Sequence, residues 1–462
     1  MKKLIKNGIV VTANHTCEAD VLIEDEKILA IGKFDEENEN YCEVYDVSGM
    51  FVMPGLIDPH THMELQQSEE YISCDDFYTG TVAAAVGGTT TIIDHIGFGP
   101  KGCNLHYSIE NYHKKAEKAV IDYGFHGVFQ HVDEDIIKEL EGIVKNEGVM
   151  SFKAYSTYAY KLGDSDMLRI LEAMKKYNGL LTCHCENDEI TNYLRAFYIN
   201  KGDTDAIYHA LSRPNQTESE SVDTMINLAA IAGDAPLYIV HTSTSEALDR
   251  IRLARTRGQK NLYCETCTQY LVLDDTSYYK DGNQNGLKYI MAPPLRSKLD
   301  IEILWKGIED GTVNVIATDH CPFMIKEKLN GDDNFTKAPG GAPGVEERVR
   351  IIFSEGVMKG RINLNQFVEV MSTNAAKIFG MYPQKGSLVI GTDADIVVID
   401  PTKEETLSND NTKSRCDYCA YEGMKVNAGI HLVFSRGNLI AKDNEFLGRR
   451  GGGRFINRKL IN

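Results

Sequence analysis

Between residues 54 and 380 the chain alternates amphipathic helical stretches with short apolar runs, and no other feature constrains its fold as strongly. Repeated βα units build a parallel sheet, because parallel neighbours need a crossover, and helices supply it. The segment Asp133-Glu-Asp-Ile-Ile-Lys-Glu-Leu-Glu-Gly-Ile-Val144 puts Ile136, Ile137, Leu140, Ile143 and Val144 on one helical face, with acidic residues at its start. Gly148 stops that helix, and Val149 to Ala154 reads as the strand that follows. A helix carrying Met167, Leu168, Leu171 and Met174 comes next, then Gly179 and the strand Leu180 to Cys183. The rhythm continues with a strand at Pro236 to His241, a helix at Ser245 to Arg257, a helix around Ile303 to Ile308 and a strand at Val313 to Thr318. No Gly-x-Gly-x-x-Gly follows any of these strands, and Gly87-Gly-Thr-Thr-Thr91 lacks the Gly-Lys-Ser/Thr of a phosphate loop. The pattern therefore predicts an α/β protein with a (β/α)8 TIM-like barrel, not an open dinucleotide-binding sheet.

The two ends differ. Leu4-Ile5, Gly8 to Val11, Val21 to Ile23, Ile28 to Ile31 and Val44 form a meander of short β-rich runs. A similar pattern returns in Gly386 to Asp400 and Gly429 to Phe434. Both termini are expected to build one small β-sandwich domain, from residues 1–53 and 381–462, around a barrel of residues 54–380. The polar, Gly/Pro-rich stretches 274–289 and 322–344 are candidate lids.

Composition narrows the partners. With 49 Lys+Arg against 67 Asp+Glu the formal charge is -18, which argues against a basic nucleic-acid-binding surface and for a small-molecule partner. No run reaches the ~18 apolar residues of a membrane span. Lys6 and Asn7 interrupt the opening as a signal peptide, so neither membrane insertion nor export is expected. Eleven cysteines, an odd number, read as reduced thiols in a cytoplasm. Cys264-x-x-Cys267 and Cys416-x-x-Cys419 stand about 150 positions apart, against ~15–20 in a zinc ribbon, and read as small residues at strand ends.

The chemistry concentrates in histidines at strand ends. In Asp58-Pro-His-Thr-His62, after the apolar run Phe51 to Ile57, His60 and His62 are two apart and so face one side of a strand. Alone, the pair fits either a metal site or two polar histidines at a strand end. His184, His241 and Asp319 also end predicted strands, where barrel enzymes assemble their sites. His95, His126 and His131 lie near strand ends without a matching constellation, and His320 reads as support beside Asp319.

Taken in order, Asp58-Pro-His-Thr-His62, Ser151-Phe-Lys-Ala-Tyr155, His184-Cys-Glu-Asn187, His241-Thr-Ser243, Glu265-Thr-Cys267, Ala292-Pro-Pro-Leu-Arg296 and Thr318-Asp-His-Cys-Pro-Phe323 resemble the motifs of the amidohydrolase superfamily, specifically its dihydropyrimidinase and D-hydantoinase branch. Ser73-Cys-Asp-Asp-Phe77, Asp94-His-Ile-Gly-Phe-Gly-Pro100 and Gly451-Gly-Gly-Arg-Phe455 look most like the bacterial phenylhydantoinases. The resemblance implies two divalent ions, usually zinc, held by His60, His62, a carboxylated Lys153, His184, His241 and Asp319. It assigns His60, His62 and Asp319 to one ion and His184 and His241 to the other, with the Lys153 carbamate spanning both. An ordinary lysine is an ammonium with no lone pair to give, whereas its carbamate offers two anionic oxygens. The same resemblance makes Asp319 the general base and then acid, Tyr155 the donor to a tetrahedral oxyanion, and the assembly a homotetramer.

The implied reaction is hydrolysis of 5-monosubstituted hydantoins to N-carbamoyl amino acids, with D selectivity. Opening of dihydrouracil is the alternative, and allantoinase, dihydroorotase or a non-catalytic scaffold are further readings. Scaffold relatives have lost metal ligands, and all six positions are intact here. Dihydroorotases usually carry Arg two places after the second histidine; this chain has Glu64, expected to repel an anionic ring. Backbone groups at Ala292 and Gly340 are expected to hold the ring imide, although related enzymes often have Ser and Asn there. Met63, Leu65, Tyr71, Phe98, Tyr155 and Tyr158 are expected to line the pocket for the ring substituent, unless they merely pack loop on loop.

Overall fold

The computed structural model describes residues 2–34 and 42–459. Eight strands lie side by side in chain order: β1 (Leu56–Thr61), β2 (Thr89–His95), β3 (Asp122–Val128), β4 (Ser151–Tyr155), β5 (Leu180–His184), β6 (Leu237–Ile239), β7 (Leu262–Cys267) and β8 (Val315–Ala317). Neighbours are parallel throughout, with Lys153 opposite Thr182 and Thr182 opposite Tyr238. The sheet closes where the chain just beyond β8 meets β1. Thr61 and His320 form a parallel bridge, and the His62 N–H donates to the His320 carbonyl at 2.9 Å. The structure is therefore the expected (β/α)8 barrel.

Local chemistry sets the helices between these strands. The Asp133 side chain accepts from the N–H groups of Asp135 and Ile136 and starts the helix Glu134–Asn146, which buries Ile136, Leu140, Ile143 and Val144. Ile137, expected on the same face, lies at its edge and is half-buried. The two long polar stretches are not open loops: they are broken into short helical turns at Asp275–Tyr278, Asn283–Gly286, Leu287–Tyr289, Ile325–Lys328, Leu329–Gly331 and Phe335–Lys337.

Both termini contribute to one β unit. A four-stranded sheet runs in the order Lys27–Gly32, Asp20–Glu24, Lys2–Lys6, Cys42–Asp46. A seven-stranded sheet places Phe51–Pro54 between Ile9–Val11 and Ile396–Thr406, the last pairing in turn with Lys425–Ser435. Ile5, Val21, Ile23, Val52, Ile396, Val398, Leu432 and Phe434 fill the core of this unit. The apolar run Phe51 to Ile57 thus serves two bodies, and the chain crosses between them at Gly55. A Cβ there would stand 2.1 Å from Thr90 Oγ1, so only glycine fits. Among the described residues no helix is long and apolar enough to cross a membrane.

One buried guanidinium joins the two edges of the barrel. Arg348 Nη1 donates to the carbonyls of Ile57 on β1 at 2.9 Å and Ile316 on β8 at 2.8 Å, and Nη2 donates to Thr89 Oγ1 at 3.0 Å. Its Nε lies 3.9 Å from Asp58, whose side chain also accepts from Thr318 Oγ1 at 2.7 Å. Arg348→Met leaves a buried carboxylate and two carbonyls without this partner. It is expected to lower the unfolding free energy by about 3–5 kcal/mol, read as a lower denaturation midpoint; an unchanged midpoint would contradict this account of the seam.

Candidate active site

The C-terminal ends of β1, β4, β5, β6 and β8 bring the predicted residues together. His60 Nε2 and His62 Nε2 each lie 3.1 Å from Asp319 Oδ1, and ligand atoms of these three residues fall within 4.8 Å of one another. His60 Nε2 is buried and has no hydrogen-bond partner among the described residues, although a carboxylate oxygen is so near. Two imidazole nitrogens converging on one carboxylate oxygen suit a shared cation. Across the barrel mouth His184 Nδ1 and His241 Nε2 approach to 2.8 Å, and the rings of His60 and His241 are 5.4 Å apart. The backbone is strained at two of these positions: His241 and Asp319 have φ of 38° and 54°.

Carboxylates behind the imidazoles set which nitrogen faces the site. Glu265 Oε1 lies 2.6 Å from His60 Nδ1 and accepts from the His241 N–H at 2.9 Å, while Oε2 accepts from the Tyr238 hydroxyl at 2.9 Å. Glu186 Oε2 lies 3.0 Å from His184 Nε2, and Arg213 Nε is 3.3 Å from Glu186 Oε1. This is the carboxylate–histidine arrangement that orients metal ligands. Glu265 and Glu186 appeared in the sequence only as parts of motifs. No spacing rule assigns them a role, because they meet their histidines across strands or two residues past a strand end.

Charge follows from these contacts. Burial opposes ionisation of Glu186, but Arg213 and His184 outweigh it and hold the carboxyl down at about 2. Burial likewise disfavours a charged His60, yet the Glu265 carboxylate overcomes it and pushes the imidazole up to about 9. Burial keeps His62, His184 and His241 below the ordinary histidine value, in the neutral form that ligates metals. Asp319 is held well below the carboxylate range: burial works the other way and the His60 imidazole prevails.

Lys153 sits among them. It is 1% exposed, and its charge is felt by His60, His62, His184 and His241. Among the described residues Nζ has no ion-pair partner within 4.0 Å, and the Tyr155 ring lies 5.5 Å away. Burial lowers its pKa, which favours the neutral amine, the form that can take up CO2. Four imidazoles, one ionised carboxylate and a buried amine without an acid form a donor set that fits two divalent cations once that amine carries a carboxylate.

The expected pocket residues separate into two groups. The Phe98 ring lies tilted against Tyr155 at 5.5 Å and Tyr160 at 4.6 Å, and Tyr158 lies 6.0 Å from Tyr155 and 5.1 Å from His184. Leu65 is half-buried beside Gly97. These build an aromatic wall beside the histidines. Met63 does not belong to it: the side chain is fully buried with its thioether against Gly80, packing the loop onto the helix Phe77–Val86. Tyr71 turns to the rim, where its hydroxyl donates to the Lys337 carbonyl at 3.0 Å.

Glu64 also departs from expectation. Its carboxylate is 2.7 Å from Lys118 Nζ and its carbonyl accepts from Lys115 at 3.0 Å, so it is no free negative charge in the site. Of the two backbone positions, Ala292 is half-buried, while Gly340 is met by Gln67, whose Nε2 donates to its carbonyl at 2.7 Å and whose Oε1 accepts its N–H at 3.2 Å. His95 proves close to the cluster, with its ring 4.2 Å from that of His60, and the His126 ring lies 4.1 Å behind His95. His126 is tied to the Pro59 carbonyl and Ser151 Oγ, and His320 to Asp75 at 3.1 Å, where it anchors the loop beside Asp319. Of the cysteine pairs, Cys264 Sγ contacts Thr242 Oγ1 and Cys416 Sγ the Phe323 carbonyl.

The barrel, its strand-end histidines and the carboxylates behind them define a hydrolase of the amidohydrolase kind. Residues 51–440 match the Amidohydrolase family, and the chain belongs to it. A D-phenylhydantoinase of Escherichia coli O1:K1 / APEC is 47% identical over 461 residues, covering 99% of this chain and 98% of that protein. The crystal structure of dihydropyrimidinase from Brevibacillus agri NCHU1002 superposes with a TM-score of 0.96 at 43% identity, covering 100% of both chains. The L-hydantoinase (dihydropyrimidinase) from Arthrobacter aurescens gives 0.89 at 28% identity, covering 98% of this chain and 99% of that one.

Glu265→Ala removes the group that fixes His60 and His241 together. It is expected to weaken divalent-cation binding by roughly 10–100-fold, measured by competition with a chelator; wild-type retention would show that Glu265 does not orient the ligands.

Proposed function

We propose that the protein opens 5-monosubstituted hydantoins to N-carbamoyl amino acids, with the D configuration preferred. The observation that carries this reading is the aromatic wall of Phe98, Tyr155, Tyr158 and Tyr160 standing beside His184, next to the convergent donors. An aryl substituent matches that wall, while the ring amide faces the donors. The D assignment rests on the greater likeness to D-phenylhydantoinases than to the L-hydantoinase. Opening of dihydropyrimidines by the same chemistry is the second reading, favoured by the likeness to the Brevibacillus enzyme.

His60, His62 and Asp319 would hold one divalent cation and His184 and His241 the other, with a carboxylated Lys153 shared between them; zinc suits the nitrogen-rich set. When bound, the cations supply a water acidified from a pKa of ~15.7 toward ~7 and polarise a ring carbonyl. Asp319 accepts the proton released as water adds to that carbonyl, and returns it to the ring nitrogen as the C–N bond breaks. The Tyr155 hydroxyl donates to the oxyanion; burial raises its pKa, so it keeps its proton. The backbone at Ala292 and Gly340 holds the imide edge, and Gln67 releases the Gly340 peptide when the ring binds there.

Asp319→Ala is expected to abolish turnover, and Tyr155→Phe to lower kcat by roughly 10²–10³-fold. In a rate comparison across phenylhydantoin, unsubstituted hydantoin, dihydrouracil, dihydroorotate and allantoin, phenylhydantoin is expected to be fastest. A carboxylate-bearing ring turned over fastest, or an active Asp319→Ala variant, would overturn the reading.

The cytoplasmic placement rests on the odd cysteine count. The homotetramer is what the family resemblance implies, and the helix Asp188–Lys201, which buries only Thr191 and exposes Ile190, Tyr193 and Phe197 along one stripe, offers a face for self-association. The double variant Tyr193→Glu, Phe197→Glu is expected to give a smaller species by light scattering; an unchanged mass would exclude this helix from the interface.

A further inference from the structure

Lys328 ends the short helix Ile325–Lys328 and is completely buried. Its Nζ donates to three backbone carbonyls, those of Ile290 at 2.8 Å, Pro339 at 2.8 Å and Gly341 at 2.5 Å. Among the described residues no carboxylate lies within 4.0 Å of it; the Phe323 ring is 5.9 Å away. Burial without a counter-ion pushes the Lys328 pKa down to about 7, and the three carbonyl acceptors are what favour its ammonium form here. Such a group is not needed to fill space, since an apolar side chain of the same length would do so without the penalty.

The three acceptors come from two segments about fifty residues apart in the chain. Ile290 lies two residues before Ala292, and Pro339 and Gly341 flank Gly340. The Gly341 N–H also donates to the Ile290 carbonyl at 3.0 Å, so the two segments meet directly at the ammonium. Gln67 engages the Gly340 peptide from the exposed side, while Lys328 fixes its neighbours from the buried side.

We propose that Lys328 is a positioning residue for the ring: its ammonium sets the spacing between the Ala292 and Gly340 backbone groups that receive the cyclic amide. This rests on the proposed hydantoin-opening activity. Lys328 touches none of the six candidate metal ligands, so its effect should fall on substrate binding and leave the cation centre intact. Loss of a charge-assisted hydrogen bond to a group that orients substrate raises KM more than it lowers kcat.

The test compares wild type, Lys328→Met, Lys328→Gln and Lys328→Arg as full-length, cation-loaded proteins on 5-phenylhydantoin, with bound cation measured by elemental analysis. Lys328→Met is expected to raise KM by roughly tenfold or more, with kcat changed much less and cation content equal to wild type. Lys328→Arg, which keeps a buried cationic donor, should recover part of the loss. If the methionine variant does not fold, the KM of the Gln and Arg variants decides. Wild-type KM in any folded variant without the ammonium would overturn the proposal, as would a loss of kcat that tracks loss of bound cation. A wild-type protein that opens no hydantoin or dihydropyrimidine would instead overturn the functional reading on which it stands.

Discussion

A lysine buried at the mouth of a barrel, ringed by imidazoles and without an acid to pair with, is the constraint on which the rest of this site turns. An isolated ammonium in such a place is among the costliest arrangements a protein can hold. The Asp319 and Glu265 carboxylates favour the charged form of Lys153 from a distance, but burial outweighs them, and Asp319 already faces two of the imidazoles. The proposed resolution is chemical. A carbamate turns a buried amine into an anion, and the anion gives two divalent ions a common ligand.

The surroundings are built to support that arrangement. Glu265 joins β1, β6 and β7 through one carboxylate, so the orientation of His60 is coupled to the backbone that carries His241. Glu186 does the same for His184 and is kept ionised by Arg213. The left-handed backbone at His241 and Asp319 brings these side chains inward from strand ends, at a strain that the closed barrel sustains. The Arg348 guanidinium in turn closes that barrel, holding β1 and β8 together below the site they share.

Much of this was legible from spacing. Strand-end positions of His60, His62, His184, His241 and Asp319 follow from period-two alternation and from where barrel enzymes place their sites, and the structure brings these residues together. Side-chain direction in loops was not legible. Met63 and Glu64 leave the same strand end as the histidines, but a positive φ at Glu64 turns the chain, sending one side chain under Gly80 and the other to Lys118. The continuous apolar run Phe51 to Ile57 also hides the end of Phe51–Pro54 and the start of Leu56–Thr61, which the structure divides at Gly55, where Thr90 approaches closely. Contacts between distant segments, such as Arg348 with both barrel edges, leave no periodic trace in the chain.

The most direct measurement is the chemical state of the Lys153 side chain together with the cation count. Protein loaded with a divalent ion in the presence of ¹³C-bicarbonate would be examined by ¹³C NMR and by elemental analysis of the same active sample. The account predicts a carbamate carbon that disappears in Lys153→Met, with two ions bound per chain. A free amine at Lys153 in an active sample that binds a single ion would contradict it.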